Sequence, residues 1–162
     1  GFENTPLSLV CETANVSKGL ISHHFKSKNG LLREIFSRTT QLIVEINSTD
    51  KIYLSPQEQL KELLESFFSQ LAEDKLLFQF NLNMIAQPNT RKILSDLIKE
   101  RSSFILEATR NIFDKIDPKN SIIKSHMFIA ELDGIALNYL GIYDDFPLAQ
   151  IKTLILKKYT QQ

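Results

Sequence analysis

Apolar residues recur along this sequence at helical spacing. Leu7, Val10, Cys11 and Ala14 are three or four residues apart, which places them on one face of a helix about two turns long. The same spacing continues through much longer stretches, and no convincing stretch alternates apolar and polar residues as a half-buried strand would. The pattern therefore predicts an all-α protein.

Helix ends are marked by hydroxyl residues, asparagine and proline. Thr5 is a candidate N-cap before Pro6, and Ser17 can cap a second helix that starts at Lys18. Asn15 lies between the two helices and tolerates the left-handed backbone that ends a helix. Two short helices joined by about four residues form the helix-turn-helix pattern. The longer helices are predicted at 29–48, 56–72, 75–86, 90–115, 121–140 and 147–159.

The first of the long helices, 29–48, is predicted to bury one apolar side. The residues on that side are Leu31, Leu32, Ile35, Phe36, Leu42, Ile43 and Ile46.

Composition and charge add only a few observations to the predicted all-α fold. The formal net charge is zero, yet the segment from Ser17 to Lys28 holds three lysines, two histidines and no acidic residue, which is a weak indication of a polyanionic partner. A single cysteine, Cys11, excludes an intrachain disulfide and suits a reducing cytoplasm. No apolar stretch approaches the ~20 residues of a membrane span. No motif predicts a cofactor or a metal, since the adjacent His23 and His24 lack cysteine or carboxylate partners.

At the N-terminus the residues resemble a known family. Gly1-Phe2-Glu3-Asn4-Thr5 is followed by Asn15-Val16-Ser17-Lys18-Gly19 and by His24-Phe25-Lys26-Ser27-Lys28. This run is similar to the DNA-binding segment of the TetR family, and Ile21-Ser22-His23 with Lys28-Asn29-Gly30-Leu31-Leu32 is most like its choline-responsive branch, which represses glycine-betaine synthesis. The sequence departs from the family pattern at Asn15, Leu20 and Ser22, which replace glycine, threonine and tyrosine.

The resemblance implies two domains and a mode of action. Residues 1–46 are expected to form a helix-turn-helix DNA-binding domain that lacks its first helix, and residues 47–162 a helical domain that binds an effector and dimerises. A ligand-released repressor on a palindromic operator is the expected function, and its partners are double-stranded operator DNA, a small-molecule effector and a second copy of the chain.

The DNA-contacting residues follow from the position of the second helix of the motif in the major groove. Lys18 is the expected base reader, Leu20 is expected to meet a thymine methyl, and Gly19 allows close approach of the backbone. The remaining candidates for base or phosphate contacts are Thr5, Ser8, Ser17, Ser22, His23, His24 and Lys28.

The other two sites are predicted in the second domain. Small residues on the penultimate helix suit a close helix pairing between two copies, so Ala130, Gly134, Leu137 and Gly141 are the expected dimer interface, with packing inside the monomer as the alternative. Phenylalanines and amides on the middle helices suit an apolar cavity with a few orienting groups, and the candidates for it are Phe67, Gln79, Asn83 and Phe104.

Two other classes of function remain as alternatives. A non-catalytic helical scaffold would explain the helices but not the run from Ser17 to Lys28. An enzyme would need a catalytic constellation, and the sequence shows no local Ser–His–Asp or Cys–His arrangement and no phosphate-binding glycine loop. We therefore predict no catalytic residues.

Overall fold

The computed structural model describes residues 1–47 and 53–161. The regular elements among these residues are all helical, without any strand, which confirms the predicted all-α class. The helices are α1 (Leu7–Thr13), α2 (Lys18–Phe25), α3 (Lys28–Asn47), α4 (Pro56–Glu73), α5 (Lys75–Ala86), α6 (Pro88–Ile93), α7 (Ser95–Ile116), α8 (Ser121–Gly141) and α9 (Leu148–Thr160). No helix in the described part of the chain is long and apolar enough to span a membrane.

The ends of most helices lie close to the positions that the sequence predicts. Pro56 is the first residue of α4, Ala86 the last of α5 and Ser121 the first of α8, as expected from the local signals. Ser48, the predicted end of the third helix, lies outside the described residues, and so do residues 50–52 of the predicted connection.

One predicted helix, 90–115, is two helices. Leu94 separates α6 from α7, and its backbone (φ −105°, ψ 8°) is not helical. The side chain of Thr90 is fully buried, and its hydroxyl donates to the carbonyl oxygens of Met84 and Gln87. The break leaves the carbonyl oxygen of Ile93 to accept a hydrogen bond from Arg33, 60 residues earlier in the chain, at 2.8 Å. The hydrogen bond from Arg33 at the end of α6 is therefore tertiary, whereas those of Thr90 are local.

The chain divides into two compact units, each described here by itself. The first consists of Gly1–Ile46 and Asn83–Arg101, and the second of Asn47–Leu82 and Ser102–Gln162. The first unit thus contains the predicted DNA-binding segment together with a stretch far from it in the sequence.

Within the first unit, the inward side of α3 differs from the prediction. Leu32 and Phe36 are buried as expected, whereas Ile35 and Leu42 are 40% and 50% exposed. Thr39 is buried instead, because its hydroxyl accepts a hydrogen bond from the guanidinium of Arg101. The buried side of α3 is therefore partly polar, and the prediction was wrong for Ile35 and Leu42.

The second unit has an apolar core formed by four helices. Its buried members are Leu60, Leu64, Phe68, Leu71, Ile112, Phe113, Phe128, Leu132, Ile135, Ala136 and Ile155. At its centre the rings of Phe113, Phe128 and Tyr159 meet edge to face, with centroids 4.8 to 6.3 Å apart. The hydroxyl of Tyr159 donates to Glu131 at 2.6 Å, which satisfies the polar end of a ring that is otherwise packed in the core.

Candidate nucleic-acid interface

The turn between α1 and α2 is built as the sequence predicts. Asn15 has a left-handed backbone (φ 54°), and the N–H of Val16 donates to the carbonyl oxygen of Cys11 at 2.9 Å. Ser17 then caps α2, because its hydroxyl oxygen accepts a hydrogen bond from the N–H of Leu20 at 3.1 Å. This turn connects the two short helices, which contact each other.

Helix α2 has one side inside the protein and the other in solvent. Ile21 is buried and Phe25 half-buried, four residues apart on the inner side. The other side carries most of the predicted DNA-contacting residues, and all of these are exposed: Ser17, Lys18, Gly19, Leu20, Ser22, His23 and His24. Leu20 is 47% exposed, so its side chain is accessible from outside the protein.

The exposed side of α2 contains cations and no anions. Helix α2 has no acidic residue in its first turn and two histidines in its last turn. Lys26 follows directly, and its ammonium donates to the carbonyl oxygen of His23 at 3.2 Å. A ligand with negative charge is therefore the one that this surface favours electrostatically.

Lys28 is half-buried and contacts the N-terminal segment. Its ammonium donates to the carbonyl oxygen of Glu3 at 3.3 Å and lies 4.3 Å from the centre of the Phe2 ring. Both contacts hold residues 2–3 against the start of α3. Lys28 thus has a structural role in addition to the phosphate contact predicted for it.

The start of α1 differs from the prediction. Pro6 occupies the N-cap position, and α1 has no side-chain cap. The hydroxyl of Thr5 donates to the carbonyl oxygen of Gly1 at 2.9 Å and caps no N–H of α1, so the prediction of a Thr5 cap was wrong. Ser8 is exposed in the first turn of α1, where a phosphate contact remains sterically open.

The close contact between the end of α2 and the start of α3, at residues 25–30, was not predicted from the sequence. Lys26 has a positive φ of 66°, a conformation that favours glycine. A Cβ atom on Gly30 would lie 1.9 Å from the carbonyl oxygen of Phe25, so the backbones of the two helices meet at this glycine. The N–H of Gly30 donates to the Ser27 hydroxyl at 3.1 Å. A glycine in the first turn of a helix, where it lowers helix stability, was the signal in the sequence.

Comparison with known proteins identifies this arrangement. A family profile described as bacterial regulatory proteins of the tetR family matches residues 1–35, which contain α1, α2 and the first turns of α3. Over these residues the chain is similar to the TetR family. It is also similar to curated relatives that are each called HTH-type transcriptional regulator BetI.

These relatives are similar at modest identity. The protein from Serratia proteamaculans is 29% identical over 133 residues, which are 71% of this chain and 66% of the relative. The protein from Burkholderia ambifaria MC40-6 is 30% identical over 122 residues, and the match covers 62% of this chain and 59% of the relative. The matched region thus spans less than two thirds of the length of both relatives, which are transcriptional regulators and not enzymes.

A solved structure shows the same fold. It is a transcriptional regulator of the TerR/AcrR family from Aquifex aeolicus VF5, with a TM-score of 0.71 and 24% sequence identity. The match covers 98% of this chain and 87% of the other. The similarity in helical fold therefore extends over nearly the whole sequence, well beyond the residues of the family profile.

The predicted effector residues do not line either of the cavities described below. Asn83 belongs to the first unit, whereas Phe67, Gln79 and Phe104 belong to the second. Phe67 packs edge to face on Phe68 and Phe78, with centroids 5.2 and 5.8 Å away, and the amide of Gln79 reaches the carbonyl oxygen of Leu140 at 3.5 Å.

Two open cavities occur in the second unit. One, of about 640 Å³, lies between α4 and α9, and the other, of about 660 Å³, is lined by residues 142–147 and Ile151. None of the four predicted residues lines either cavity. The prediction of these residues as an effector site therefore stays a prediction.

The predicted dimer residues share the outer side of α8. Ala130, Leu137 and Gly141 are exposed, and a Cβ atom on Gly134 or Gly141 would meet no atom within 4 Å. Ile123 and Met127 extend the same row at helical spacing and are 58% and 61% exposed. We call this row, from Ile123 to Gly141, the α8 stripe. Among the described residues, the Cβ positions of Gly134 and Gly141 have free space around them, and the dimer interface stays a prediction.

Proposed function

We propose that this protein is a transcriptional regulator that binds a palindromic operator as a homodimer, with α2 of each copy in the major groove. The exposed side of α2 carries this proposal, since it presents cations, hydroxyls and an accessible leucine without any carboxylate in its first turn. Double-stranded DNA is the partner that such a helix fits in a helix-turn-helix motif. The proposal implies a cytoplasmic protein, because the DNA is there.

Each exposed residue of α2 has a role in this arrangement. Lys18, in the first turn, donates to guanine acceptors in the groove, and Leu20 contacts a thymine methyl. Gly19 has no side chain to separate the helix from the base edges. Ser17, Ser22 and His23 lie near enough to this face to add base or sugar contacts.

A second group of residues would bind the DNA backbone. His24 and Lys28 are the phosphate contacts at the end of α2 and the start of α3, and Thr5 and Ser8 are those at the start of α1. Such contacts fix the register of the protein on the duplex and carry no sequence information of their own.

The dimer is proposed to form through the α8 stripe. A row of exposed apolar and small residues over 19 positions is typical of a helix that meets another helix closely. With a second copy as partner, a two-fold axis would pair each stripe with itself. The dimer must then hold its two α2 helices about 34–36 Å apart, one turn of DNA.

Regulation is proposed to be release of the operator by a small molecule. Repression is typical of the TetR family, and a ligand that prefers the conformation unable to bind DNA shifts the population away from the operator. The predicted effector residues Phe67, Gln79, Asn83 and Phe104 are the first positions to vary, with choline as the first compound to test because of the resemblance at the N-terminus.

The experiment that tests the proposal is selection of bound sequences from a pool of random duplexes by the full-length protein. We expect recovery of a palindrome whose half-sites are one helical turn apart. A pool that remains random after several rounds would overturn the operator-binding function. Selection of a single half-site by a monomer would retain α2 as the reader and overturn the dimer.

A further inference from the structure

Arg101 is buried near the start of α7, with 6% of its surface exposed. Buried arginines are uncommon, because removing a charge from water is costly unless hydrogen bonds replace the lost hydration. Burial lowers the pKa of Arg101 to about 10, which still leaves the guanidinium charged at neutral pH. A buried charge of this kind needs a structural or functional explanation.

The guanidinium of Arg101 binds the middle of α3. Nη2 donates to the carbonyl oxygen of Phe36 and to the hydroxyl of Thr39, both at 2.7 Å, and Nε donates to the hydroxyl of Thr40 at 2.7 Å. The guanidinium also lies 3.6 Å from the centre of the Phe36 ring, at cation–π distance. These contacts use the planar fork of arginine, which a lysine cannot reproduce.

The two threonines make this part of α3 a preformed acceptor. The hydroxyl of Thr39 donates to the Phe36 carbonyl oxygen at 2.8 Å, and the hydroxyl of Thr40 does so at 3.0 Å. Because each hydroxyl proton is used in this way, the lone pairs of both oxygens point to the incoming guanidinium. The arrangement fixes both the position and the rotation of α3 relative to the first turns of α7.

A second arginine links the same two segments, but here the donor lies on α3 and the acceptors lie in residues 93–96. Arg33, on α3, donates to both carboxylate oxygens of Asp96 at 2.7 and 2.6 Å and to the carbonyl oxygen of Ile93. Arg33 and Arg101 therefore attach α3 to residues 93–101 at two points. We call this pair of attachments the arginine clamp.

The other end of α3 is attached to the DNA-reading helix. Gly30 brings the backbone of α3 against the carbonyl oxygen of Phe25, the last residue of α2. A rotation of α3 would therefore move α2 with it. Residues 93–101, about seventy positions away in the sequence, belong to the same compact unit as α2 and α3.

We propose that Arg101 is a positioning residue for DNA recognition: through the arginine clamp it holds α3, and with it α2, at the angle that the operator requires. The inference rests on the proposed operator-binding function. Helix α7 runs without a break from Ser95 to Ile116, and Arg101 lies in its second turn.

The test compares Arg101→Met with Arg110→Met in the full-length protein. Methionine keeps an unbranched apolar side chain but removes every hydrogen bond of the guanidinium. Arg110 is the matched control, because it lies on the same helix, is exposed and makes only a surface ion pair with Asp114 at 3.6 Å. Binding is measured by fluorescence anisotropy on the selected operator and on a scrambled duplex, at a temperature where circular dichroism shows each variant folded.

We expect Arg101→Met to lose about tenfold in operator affinity while its affinity for the scrambled duplex stays the same. The exposed cations are unchanged, so non-specific binding has no reason to fall. Arg110→Met is expected to match the wild type on both duplexes. A role in stability alone would lower the two affinities together through the folded fraction, and this outcome would overturn the positioning role.

Milder variants keep the test decisive if Arg101→Met does not fold. Arg101→Lys keeps the charge without the fork, and Thr40→Val removes one acceptor at almost constant volume. Each is expected to lower the ratio of operator to scrambled affinity, and an unchanged ratio in a folded variant would overturn the proposal. Failure of the wild type to prefer any operator would instead overturn the proposed function, from which this inference follows.

Discussion

Two glycines in the first unit, Gly19 and Gly30, differ in how much free space surrounds them. A Cβ atom on Gly19 would meet only the Ser17 hydroxyl, at an ordinary 3.7 Å, whereas one on Gly30 would overlap the Phe25 carbonyl oxygen. Gly30 is thus needed by the protein itself, and Gly19 has no such need. In the proposed function, Gly19 instead allows DNA to approach the backbone of α2 closely.

Gly19→Ala should separate stability from function. Alanine in a helix is favoured over glycine by about 0.5–1 kcal/mol, so we expect the free energy of unfolding to rise slightly. Operator affinity should fall nevertheless, because the added methyl group would lie between the helix and the base edges. Urea denaturation and anisotropy titration measure the two effects, and unchanged operator affinity would show that Gly19 does not face the groove.

Gly30→Ala is the matched substitution with the opposite expectation. Accommodating the methyl group requires the α2–α3 corner to open, and overpacking of this kind costs about 1–3 kcal/mol. We expect a lower midpoint of urea denaturation and weaker operator binding. A variant as stable as Gly19→Ala would contradict the close backbone contact at this corner.

The helices whose ends were predicted best are those that begin with a capping residue or a proline in the local sequence. Ser17 caps α2 as expected, and Pro56 opens α4 within a capping box between Ser55 and Glu58, a local signature in the sequence. The exposed side of α2 was predictable for the same reason, since the turn at Asn15 and the buried Ile21 fix its orientation.

The division between α6 and α7 could not be predicted in this way. Residues 90–116 contain neither glycine nor proline, so the local sequence favours one continuous helix. The helix is interrupted where the guanidinium of Arg33 binds the carbonyl oxygen of Ile93, which a continuous helix would use internally. Arg101 was missed for a related reason, since a charged residue on a helix is expected on the outside unless its partners are known.

The ion pair between Arg33 on α3 and Asp96 on α7 makes the contact between these two helices depend on pH. The hydrogen bond from Arg33 holds the pKa of Asp96 well below its usual range. A carboxylate with a lowered pKa stabilises the folded state above its ordinary pKa, near 3.9, and this contribution disappears as the pH falls through the folded value.

Asp96→Asn should therefore make the stability of the folded state depend less on pH in the acid range. We expect the melting temperature of the wild type to fall further between pH 6 and pH 2 than that of the variant, although other carboxylates titrate in both. Asp114→Asn, which removes a longer surface pair with Arg110, is the control and should follow the wild type more closely. Parallel curves for wild type and Asp96→Asn would contradict the contribution of this pair.

Binding to a palindromic operator requires two copies of the protein to act together. A monomer would present a single α2 helix to the DNA, and its affinity for a half-site would lack the contribution of the second helix. The α8 stripe is the surface proposed to supply the dimer, because its small residues leave space that nothing in the described monomer fills.

Gly134→Leu is expected to convert the dimer to a monomer without unfolding it. A Cβ atom at this position would meet no described atom within 4 Å, whereas a leucine in the α8 stripe would clash with a closely packed partner helix. Analytical ultracentrifugation measures the association state, and Lys61→Leu, which places the same side chain on an exposed position of α4, is the control. A Gly134→Leu protein that stays dimeric would place the interface elsewhere.

The hypothesis that α2 reads DNA is tested by an anisotropy titration of the wild type and of Lys18→Ala. Each protein is titrated against the selected operator and against a scrambled duplex, over a range of salt concentrations. We expect steep salt dependence for the wild type on both duplexes, and a loss by Lys18→Ala that is larger on the operator by about 1–3 kcal/mol. Equal operator affinities for the two proteins would contradict the assignment of α2 as the reading helix.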